Sequence, residues 1–478
     1  MKLNALLQDV EISAVCNSDC EILNVTDDTN KVSHGSAFVC IKGKNTDGNE
    51  LADKALSKGA SVIISERKLD CENCITVPDS RKAYALMCAN FYGRCHEKLK
   101  MVGVTGTNGK TTVACLIKSI LEKSGFKVGL LGTVKVIIGE EQYPAVLTTP
   151  TPSDFHRYLM MMNAAGCDFC VSEISSQALD QDRAYGINFD CGIFTNLSPE
   201  HLDYHKTMDN YLKAKLKLFE KSRLSVINTD DIHSKEVLKC ASGEVVTVSL
   251  TDKADFTAKD IHINLDGVSY TLCCSAGEYR VNFPITGKFS VYNSLEAIAA
   301  ATRLGADTAT AIRAAGEFEG IPGRTEKIPN PFGINVIIDF AHTPDSLKNI
   351  LSTLREVTGG KLITVFGCGG DRDKSKRPEM GRIACEYSDT VFITSDNPRT
   401  ENPEEIISDI CSGLDGNSYF RITDRTQAIK AALFSAKSGD TVVIAGKGHE
   451  KYQILGNQKI YYNEREIVKR LLDEKARF

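Results

Sequence analysis

The sequence Leu99-Lys-Met-Val-Gly-Val-Thr-Gly-Thr-Asn-Gly-Lys-Thr-Thr112, with the residues up to Ser124, decides the fold of this chain. Its apolar start, 99–104, predicts a buried strand, and residues 111–124 predict a helix after a glycine-rich turn. Apolar residues recur in that helix at intervals of three and four, which predicts one buried face made of Val113, Leu116, Ile117, Ile120 and Leu121. A strand, a glycine-rich loop and a helix in this order predict the opening unit of an α/β domain.

The glycine-rich loop is typical of a phosphate-binding site, because its backbone N–H groups and the first helical turn can cradle phosphate oxygens. Lys110 would reach the β- and γ-phosphates of a nucleotide, and the Thr111 hydroxyl would bind Mg²⁺. The strict phosphate-loop pattern fails at one position, since Val104 stands where its first glycine belongs. A tight glycine turn without a ligand is the competing interpretation. The predicted nucleotide contacts are Gly106, Thr107, Asn108, Gly109, Lys110, Thr111 and Thr112.

Further strands extend this pattern toward the carboxyl terminus. Apolar runs at 169–173, 191–195 and 225–228 alternate with helical stretches, as in a mostly parallel sheet. Between about 245 and 285 the apolar residues alternate singly, which predicts an antiparallel insertion or a sheet edge. An alanine-rich helix follows, predicted at 290–304. These elements together predict a central domain at residues 99–323.

Two more α/β domains are predicted to flank the central one. Residues 36–65 show a strand, a helix at 50–58 and another strand, within a first domain at 1–98. The breaker sequence Gly320-Ile-Pro-Gly-Arg324 marks the second boundary. Beyond it, a domain at 324–478 alternates helices with strands in a Rossmann-like way, the strands being at 334–339, 361–366, 390–394 and 441–445. The predicted fold class is therefore α/β with three domains.

Composition and charge exclude several functional classes. The 478 residues carry 57 Lys and Arg against 62 Asp and Glu, and a net charge of −5 argues against a nucleic-acid coat or a polybasic membrane anchor. Asp9 and Glu11 interrupt the first apolar run, and no apolar window of about 18 residues occurs, so we expect a cytoplasmic protein without membrane insertion. The 17 cysteines are odd in number and scattered, which argues against a disulfide framework.

A phosphate loop alone leaves the reaction open, and motifs elsewhere in the chain narrow it. In chain order they are Leu147–Pro150, Glu173–Gln177, Gln181–Arg183, Thr195–His205, Tyr211–Lys215, Asp339–Asp345, Gly367–Lys374, Asp396–Arg399 and Gly446–Glu450. The loop resembles the variant found in ATP-dependent Mur ligases and folylpolyglutamate synthetases. The ordered set resembles the diaminopimelate-adding branch of the Mur ligase family, with matches in all three predicted domains.

The resemblance implies an ATP-dependent amide ligase. Such enzymes transfer the γ-phosphate of ATP to a carboxylate, and an amine attacks the resulting acyl phosphate. Crowding phosphates and a carboxylate together requires cations. The family implies one Mg²⁺ held by Thr111 and Glu173, and a second held by His201 and a carbamylated Lys215, whose new oxygens are donors that Mg²⁺ prefers. Lys110, His201 and Lys215 are then the implied catalytic residues, and the further implied ATP contacts are Asn293, Arg324, Asp339 and His342.

Taken alone, several of these residues have simpler interpretations. A carboxylate at a strand end, such as Glu173, is often a capping or solvated group, and Asn293 is equally well a helix cap. His201 and His205 are four residues apart, but the zinc pattern H-E-x-x-H is absent. Lys215 has lysines two residues away on either side, which by itself predicts a solvated helix face.

The last domain is implied to bind the amine substrate, meso-diaminopimelate. Its sequence Asp396-Asn397-Pro398-Arg399 resembles the version that accepts this amine, whereas lysine-adding members usually lack the arginine. A guanidinium can bind the second carboxylate of diaminopimelate with two hydrogen bonds, and lysine has no such carboxylate. Arg372 is a second guanidinium, and Gly446 and Glu450 offer oxygens for the far ammonium. The competing interpretation is a surface turn with an exposed arginine.

The resemblance implies UDP-N-acetylmuramoyl-L-alanyl-D-glutamate as the carboxylate substrate. The match in the first domain is looser, because Asp28-Thr29-Asn30 stands where the family commonly has Asp-Ser-Arg. Lys31 or Lys44 would then replace the missing cation. The implied contacts are Thr29, Lys44, Asn45 and Thr46 in the first domain and Thr148, Thr149, Ser175, Gln181 and Arg183 in the central one.

Three rival functions stay open at this point. The nearest keeps the reaction but uses lysine or another diamine as the amine. A nucleotide-controlled switch or binding protein would leave Lys215 and the segments at 396–399 and 446–450 without a purpose. A folylpolyglutamate-type ligase would not need the residues implied in diamine binding, so their presence would be a coincidence. We further expect a monomer.

Overall fold

The computed structural model describes residues 1–14, 20–43, 46–414 and 419–477. Its first domain contains α1 (Leu3–Leu6), β1 (Asn24–Thr26), β2 (Ser36–Val39), α2 (Ala52–Ser57), β3 (Ala60–Ser65), β4 (Cys74–Thr76) and α3 (Ser80–Phe91), with 3₁₀ helices at Gly48–Leu51 and Cys95–Glu97. The strands form a parallel sheet in the order β1-β2-β3-β4.

The helix predicted at 50–58 is divided in two. Asp47 accepts hydrogen bonds from both the backbone and the side-chain nitrogen of Asn49, at 2.9 and 2.7 Å. A short carboxylate that bonds locally in this way favours a tight turn over an α-helical start. The segment therefore begins as a 3₁₀ turn at Gly48–Leu51, and the α-helix starts only at Ala52.

The central domain is the largest of the three. Its elements are β5 (Lys100–Thr105), α4 (Lys110–Lys123), β6 (Val128–Leu131), β7 (Lys135–Ile138), β8 (Glu141–Pro144), α5 (Pro152–Ala164), β9 (Phe169–Glu173), α6 (Ser176–Asp180), β10 (Cys191–Phe194), α7 (Leu202–His205), α8 (Met208–Phe219), β11 (Leu224–Asn228), α9 (Ser234–Cys240), β12 (Glu244–Ser249), β13 (Phe256–Asn264), β14 (Gly267–Cys274), β15 (Gly277–Phe283), α10 (Lys288–Arg303) and α11 (Thr308–Gly316). Its 11-stranded sheet has the order β15-β14-β13-β12-β11-β10-β5-β9-β6-β7-β8.

The middle of this sheet is parallel and its two edges are antiparallel. Strands β6, β9, β5, β10, β11, β12 and β13 pair in parallel, whereas β14 is antiparallel to both β13 and β15. The antiparallel edge predicted for 245–285 is therefore present from β13 onward, but β12, at the start of that range, is parallel to both of its neighbours. The five apolar residues predicted for the buried face of α4 are all 0% exposed. They pack in one core with α10 and α11, which fixes the start of α4 beside the end of β5.

The third domain contains β16 (Glu326–Ile328), β17 (Asn335–Asp339), α12 (Pro344–Val357), β18 (Leu362–Phe366), α13 (Lys376–Tyr387), β19 (Thr390–Ile393), α14 (Pro403–Cys411), β20 (Tyr419–Arg421), α15 (Arg425–Ser435), β21 (Thr441–Ala445), the hairpin β22 (Tyr452–Leu455) and β23 (Gln458–Tyr461), and α16 (Glu464–Lys475). Its main sheet has the order β16-β17-β21-β18-β19-β20, with only β16 antiparallel. The three α/β sheets confirm the predicted fold class. Within the described ranges, none of the helices combines the length and apolar character needed to cross a membrane.

Glu296 is a carboxyl group enclosed in the core of the central domain. It lies on α10 and is 0% exposed, and neither of its oxygens has a hydrogen-bond partner among the described residues. Burial raises the pKa of Glu296 well above its usual range, and the nearby Asp231 adds to this effect. A protonated carboxyl is therefore the form that the fold favours.

This burial predicts a pH-dependent loss of stability. Because the folded pKa lies above the unfolded one, the folded state keeps a proton that the unfolded state releases, so stability falls by roughly 1.4 kcal/mol per pH unit between the two values. We expect Glu296→Gln to raise the melting temperature more at pH 8 than at pH 5, measured by calorimetry. The exposed Glu319→Gln serves as the control. Equal shifts for Glu296→Gln at both pH values would show that Glu296 does not titrate differently on folding.

Candidate active site

A cavity of about 290 Å³ opens at the carboxyl-terminal edge of the central sheet. Strand β5 lies between β9 and β10 and parallel to both, so the ends of all three strands meet at this edge. β5 leads into the phosphate loop, β9 ends at Glu173, and the third domain closes the opposite side with Arg324, Phe340 and His342. This edge is where open parallel sheets commonly bind their ligands.

The backbone of the phosphate loop surrounds the side chain of Lys110. Lys110 Nζ donates to the carbonyl oxygens of Gly106 and Thr107, at 2.9 and 2.7 Å. A Cβ at Gly106 would stand 1.9 Å from Thr195 Oγ1, so only glycine fits this close approach. Burial lowers the pKa of Lys110, although Glu200 and Glu173 oppose that effect. The loop thus carries a buried cation at the position predicted for a nucleotide phosphate.

Glu173 and Thr111 are brought into direct contact. Glu173 is 1% exposed, and its Oε2 accepts from Thr111 Oγ1 at 2.9 Å. The backbone N and the hydroxyl of Thr133 donate to the same carboxylate, at 2.8 and 2.9 Å. The solvated interpretation of Glu173 is therefore wrong. Two hydroxyls around a buried carboxylate form an oxygen-rich set of the kind that Mg²⁺ prefers.

Lys215 differs from its neighbour Lys213 on the same helix. Lys213 is exposed, whereas Lys215 is 1% exposed and its Nζ donates to the carbonyl oxygen of Gly106 at 2.8 Å. Burial lowers the pKa of Lys215 well below its usual range, and the adjacent Lys110 lowers it further. The solvated-face interpretation is wrong for Lys215. A neutral amine is also the nucleophilic form that adds to carbon dioxide.

A carboxylate that the sequence analysis did not single out, Glu200, lies between two candidate histidines. Its Oε2 is 3.7 Å from His201 Nε2, and its Oε1 is 3.7 Å from His342 Nε2 in the third domain. Burial favours a raised pKa for Glu200, but both histidines and the two buried lysines outweigh it, and the pKa is lowered. The position of Glu200 between two histidines could not be read from the sequence motif, because His342 lies far away in the chain.

His201 and His205 do not converge on one point. His201 is a residue in the left-handed region, with φ of 56°, and its side chain is 44% exposed and faces the cavity. His205 is buried and its Nε2 lies 2.9 Å from the Ser176 hydroxyl, which ties α7 to α6. The strained backbone at His201 costs about 1–3 kcal/mol and persists where the surrounding structure enforces it, as at many functional sites.

The third domain contributes a cation, Arg324, to the cavity and a carboxylate, Asp345, that hydrogen-bonds to the phosphate loop. Arg324 lies with its guanidinium carbon 4.6 Å from the Phe340 ring centre, and its buried Nε has no partner among the described residues. Asp345 Oδ2 accepts from Asn108 Nδ2 in the phosphate loop and from Ser198 Oγ, both at 2.9 Å. A buried donor without a partner, on a residue that lines the same cavity as the phosphate loop, fits an anionic ligand. Asp345 ends one of the sequence motifs, but its contact with Asn108 was not predicted, because the two residues lie far apart in the chain.

Two of the implied nucleotide contacts lie outside this cavity. The carboxylate of Asp339 is engaged by the protein backbone: it accepts hydrogen bonds from the backbone N of Thr325 and of Ala341, at 2.6 and 2.8 Å. Asn293 lies against Gly109 and lines a neighbouring cavity of about 590 Å³. Asn293 is also inside α10 rather than at its start, so the helix-cap interpretation is wrong.

The implied contacts to the UDP substrate are divided between the two domains. Thr148, Thr149, Ser175 and Arg183 line the cavity, whereas Gln181 does not and instead accepts from Arg183 Nε and Nη2 at 3.1 and 2.8 Å. In the first domain, Thr29 is buried away from the cavity, with its carbonyl oxygen accepting from Lys58 Nζ at 2.8 Å. Thr46 is exposed, and Lys44 and Asn45 lie outside the described residues.

The residues implied in amine binding form a second cluster, in the third domain. They follow β18, β19 and β21, which are adjacent in the sheet. Arg399 has φ of 53°, and its Nη1 donates to the carbonyl oxygen of Gly370 at 2.7 Å. A Cβ at Gly369 would lie 2.9 Å from Arg399 Nη1 and 3.9 Å from Arg372 Cγ, so the aliphatic part of Arg372 lies close to Arg399. The exposed guanidinium of Arg372 donates to the carbonyl oxygen of Asp371 at 3.1 Å. Burial lowers the pKa of Arg399, and the like charge of Arg372 adds to it.

The carboxylates of this cluster, Asp396 and Glu450, lie close enough to Arg399 to oppose the lowering of its pKa. Asp396 and Asn397 are 7% and 4% exposed, so the surface-turn interpretation is wrong. Asn397 Nδ2 donates to Glu450 Oε2 at 2.9 Å, and Gly446 packs against Asp396 Oδ2. Pro398, also buried, continues this segment to Arg399. A cluster with both cations and carboxylates suits a zwitterionic ligand.

The two clusters are joined by the linker between the central and third domains. Gly323 packs so tightly on the backbone of Gly448 and His449 that a Cβ would lie 2.1 Å from it. The ring of His449 lies 4.9 Å from that of Phe340, which itself contacts Arg324. The segment that carries Gly446 and Glu450 is therefore contiguous with the phosphate-binding side.

Comparison with known proteins identifies the family. Three family profiles match: "Mur ligase family, catalytic domain" at 21–92, "Mur ligase middle domain" at 104–301 and "Mur ligase, glutamate ligase domain" at 323–448. UDP-N-acetylmuramoyl-L-alanyl-D-glutamate--2,6-diaminopimelate ligase 1 of Clostridium acetobutylicum is 44% identical over 480 residues, covering 99% of this chain and 100% of the relative. The corresponding ligase of Syntrophomonas wolfei is 41% identical over 489 residues and covers 100% of both chains.

Solved structures agree with these matches. A structure of UDP-N-acetylmuramoyl-L-alanyl-D-glutamate--2,6-diaminopimelate ligase superposes with a TM-score of 0.73 at 32% identity, covering 100% of this chain and 99% of that one. The MurF ligase of Thermotoga maritima in complex with ADP shares the fold, with a TM-score of 0.63 at 18% identity over 95% of this chain and 98% of that one. This chain belongs to the Mur ligase family.

Proposed function

We propose that this chain is an ATP-dependent ligase that joins meso-diaminopimelate to UDP-N-acetylmuramoyl-L-alanyl-D-glutamate. Its relatives at 40–44% identity over nearly the whole chain are named for this reaction. The observation that carries the choice of amine is the half-buried guanidinium of Arg399, whose pKa is affected by the nearby charges of Arg372, Asp396 and Glu450. This arrangement complements an ammonium and a carboxylate on one ligand. The product is a nucleotide-linked tripeptide, which places the chain in peptidoglycan precursor synthesis.

The proposed reaction has two chemical steps. A carboxylate oxygen of the nucleotide substrate attacks the γ-phosphorus of ATP, and ADP leaves. The amine of diaminopimelate then attacks the acyl carbon, and phosphate leaves as the amide forms. Lys110 and Arg324 face the cavity as cations and would offset the charge that develops on the transferred phosphoryl group. Asp345 holds the third domain against the phosphate loop, which favours exclusion of water from the acyl phosphate.

The residues at the cavity also fit the proposed magnesium sites. Thr111 and Glu173 would hold one ion, and His201 with a carbamylated Lys215 would hold the second. Unmodified Lys215 is a donor that bonds the Gly106 carbonyl, so it needs the added carboxyl group to act as an oxygen ligand. When bound, Mg²⁺ neutralises phosphate charge in the transition state. Glu200, which carries a negative charge between His201 and His342, is a further candidate for holding cations at this edge.

A mass-resolved ligation assay tests the proposed function. The purified chain is supplied with ATP, Mg²⁺ and UDP-N-acetylmuramoyl-L-alanyl-D-glutamate, with meso-diaminopimelate and L-lysine in equal competition. We expect the diaminopimelate adduct to dominate, with one ADP formed per product. Addition of lysine would support the ligase activity but contradict meso-diaminopimelate as the amine substrate. ATP binding without any product would favour the nucleotide-controlled switch, and glutamate addition to a folate in a parallel reaction would favour the folylpolyglutamate-type ligase.

The remaining parts of the proposal concern the state of the protein. We propose a monomer that acts in the cytoplasm, where nucleotide-linked precursors and ATP are available, without a nucleic-acid partner. The absence of a strong basic balance, with a net charge of −5, supports the last point. The domain boundaries at 98 and 323 likewise stay predictions.

A further inference from the structure

Lys447 is a buried cation that neither the sequence motifs nor the proposed reaction assigns a task. It follows β21 directly and its side chain is 0% exposed, whereas the Glu450 side chain is 19% exposed. Its Nζ donates to Asn397 Oδ1 at 3.0 Å and to Glu450 Oε2 at 3.1 Å, and lies 3.8 Å from Asp396 Oδ1. Lys447 thus contacts three of the residues implied in amine binding while being inaccessible itself.

The hydrogen bonds around Glu450 are distributed unequally between its two oxygens. Oε2 accepts from both Lys447 Nζ and Asn397 Nδ2, at 3.1 and 2.9 Å. Oε1 accepts only a long bond from the hydroxyl of Tyr452, at 3.3 Å, among the described residues. A carboxylate oxygen can accept two hydrogen bonds, so Oε1 keeps capacity for a further donor. A free acceptor of this kind is what an ammonium group requires, because an ammonium only donates hydrogen bonds.

The amide of Asn397 is fixed by the same lysine. Asn397 Oδ1 accepts from Lys447 Nζ and from the backbone N of Ile454, both at 3.0 Å, while its Nδ2 donates to Glu450. Both ends of this amide are therefore engaged inside the protein. The Asn397 side chain therefore supports Glu450 from within the protein.

The two loops of the cluster have an anchor that does not depend on Lys447. Arg425 is fully buried and paired with Glu464, and it donates to the carbonyl oxygens of Ser395 and Ala445, at 3.3 and 2.8 Å. Ser395 directly precedes Asp396–Arg399, and Ala445, the last residue of β21, directly precedes Gly446–Glu450. The backbone of the cluster is thus fixed by Arg425, and what Lys447 adds is the orientation of side chains.

We propose that Lys447 is a positioning residue for the amine substrate: it fixes one oxygen of Glu450 so that the other faces the far ammonium of the diamine. This inference rests on the proposed function. Lys447 also supplies one positive charge to two neighbouring carboxylates, so that together they match a single ammonium. Replacing Lys447 with an apolar side chain should weaken binding of the amine without affecting the sites for ATP or the UDP substrate.

A double-mutant cycle tests this inference in the full-length enzyme. We expect Lys447→Met to raise KM for meso-diaminopimelate at least tenfold, with KM for ATP and for the UDP substrate changing less than twofold. Glu450→Gln should have a similar effect. The double variant should resemble Glu450→Gln within twofold, because Lys447 acts through Glu450. Lys451→Met, an exposed lysine in the same segment, is the matched control.

The outcomes separate this inference from the proposed function. If wild-type enzyme makes no tripeptide, the proposed function fails before any variant is compared. If wild-type enzyme is active and the effects of the two substitutions multiply, or KM for ATP rises as much as KM for the amine, the positioning role is wrong. If Lys447→Met alone fails to fold, the double variant is compared with Glu450→Gln instead. The double variant has no Glu450 carboxylate that would be left without its cation, and equal KM values for the amine in these two variants would still support the positioning role.

Discussion

Replacing Lys215 with alanine is expected to lower the ligation rate about a thousandfold, the loss typical of removing one preorganised electrostatic group from an active site. The reason is that Lys215 is buried beside the phosphate loop with a strongly lowered pKa, where a carbamate would form and bind Mg²⁺. ADP affinity, measured by calorimetry, should change much less, since the loop residues remain. Acetate added to Lys215→Ala should restore part of the rate by supplying the missing oxygens.

Lys213→Ala is the matched control for this prediction. Lys213 lies on the same helix, two residues away, but is exposed, so its replacement should leave the rate within twofold. Native mass spectrometry of the wild-type protein in bicarbonate buffer should detect one added carboxyl group that Lys215→Ala lacks. A fully active enzyme without this modification would contradict the carbamylated form, and an active Lys215→Ala would remove Lys215 from catalysis altogether.

Replacing Arg399 with alanine is expected to raise KM for meso-diaminopimelate about a hundredfold, because charge-assisted hydrogen bonds to a partly buried carboxylate are lost. Binding of the UDP substrate and of ATP should stay within twofold, since Arg399 lies in the third-domain cluster and not in the phosphate-loop cavity. Competition with L-lysine should show a matching fall in preference for diaminopimelate. Steady-state kinetics with each substrate varied in turn measures all three effects.

Arg399→Lys distinguishes charge from geometry at this position. Lysine keeps the positive charge but cannot form the two parallel hydrogen bonds of a guanidinium, so most of the defect should remain. Arg382→Ala, an exposed arginine elsewhere in the third domain, is the control. If Arg399→Ala retains diaminopimelate use and nucleotide binding equally, Arg399 does not select the amine, and Arg372 becomes the candidate for that role.

Local sequence patterns predicted much of the fold. The apolar face of α4 and the strands at 169–173 and 441–445 match the structure, because a buried strand or helix face shows its period within a short window. The predicted start of the helix at 50–58 is wrong for an equally local reason, because the hydrogen bonds from Asn49 to Asp47 favour a 3₁₀ turn there. Family resemblance, and not periodicity, pointed to Lys215, since by pattern alone it is indistinguishable from Lys213.

The sequence by itself determined the α/β class, the phosphate loop and the kinds of residue available for chemistry, because these depend on neighbours along the chain. Only the tertiary structure decided which of them meet. It buried Lys215 and left Lys213 in solvent, placed Glu200 between His201 and His342, and set Lys447 beneath Glu450. The physical reason is that burial and hydrogen bonding between distant segments fix these charges, and neither is encoded in any short stretch of sequence.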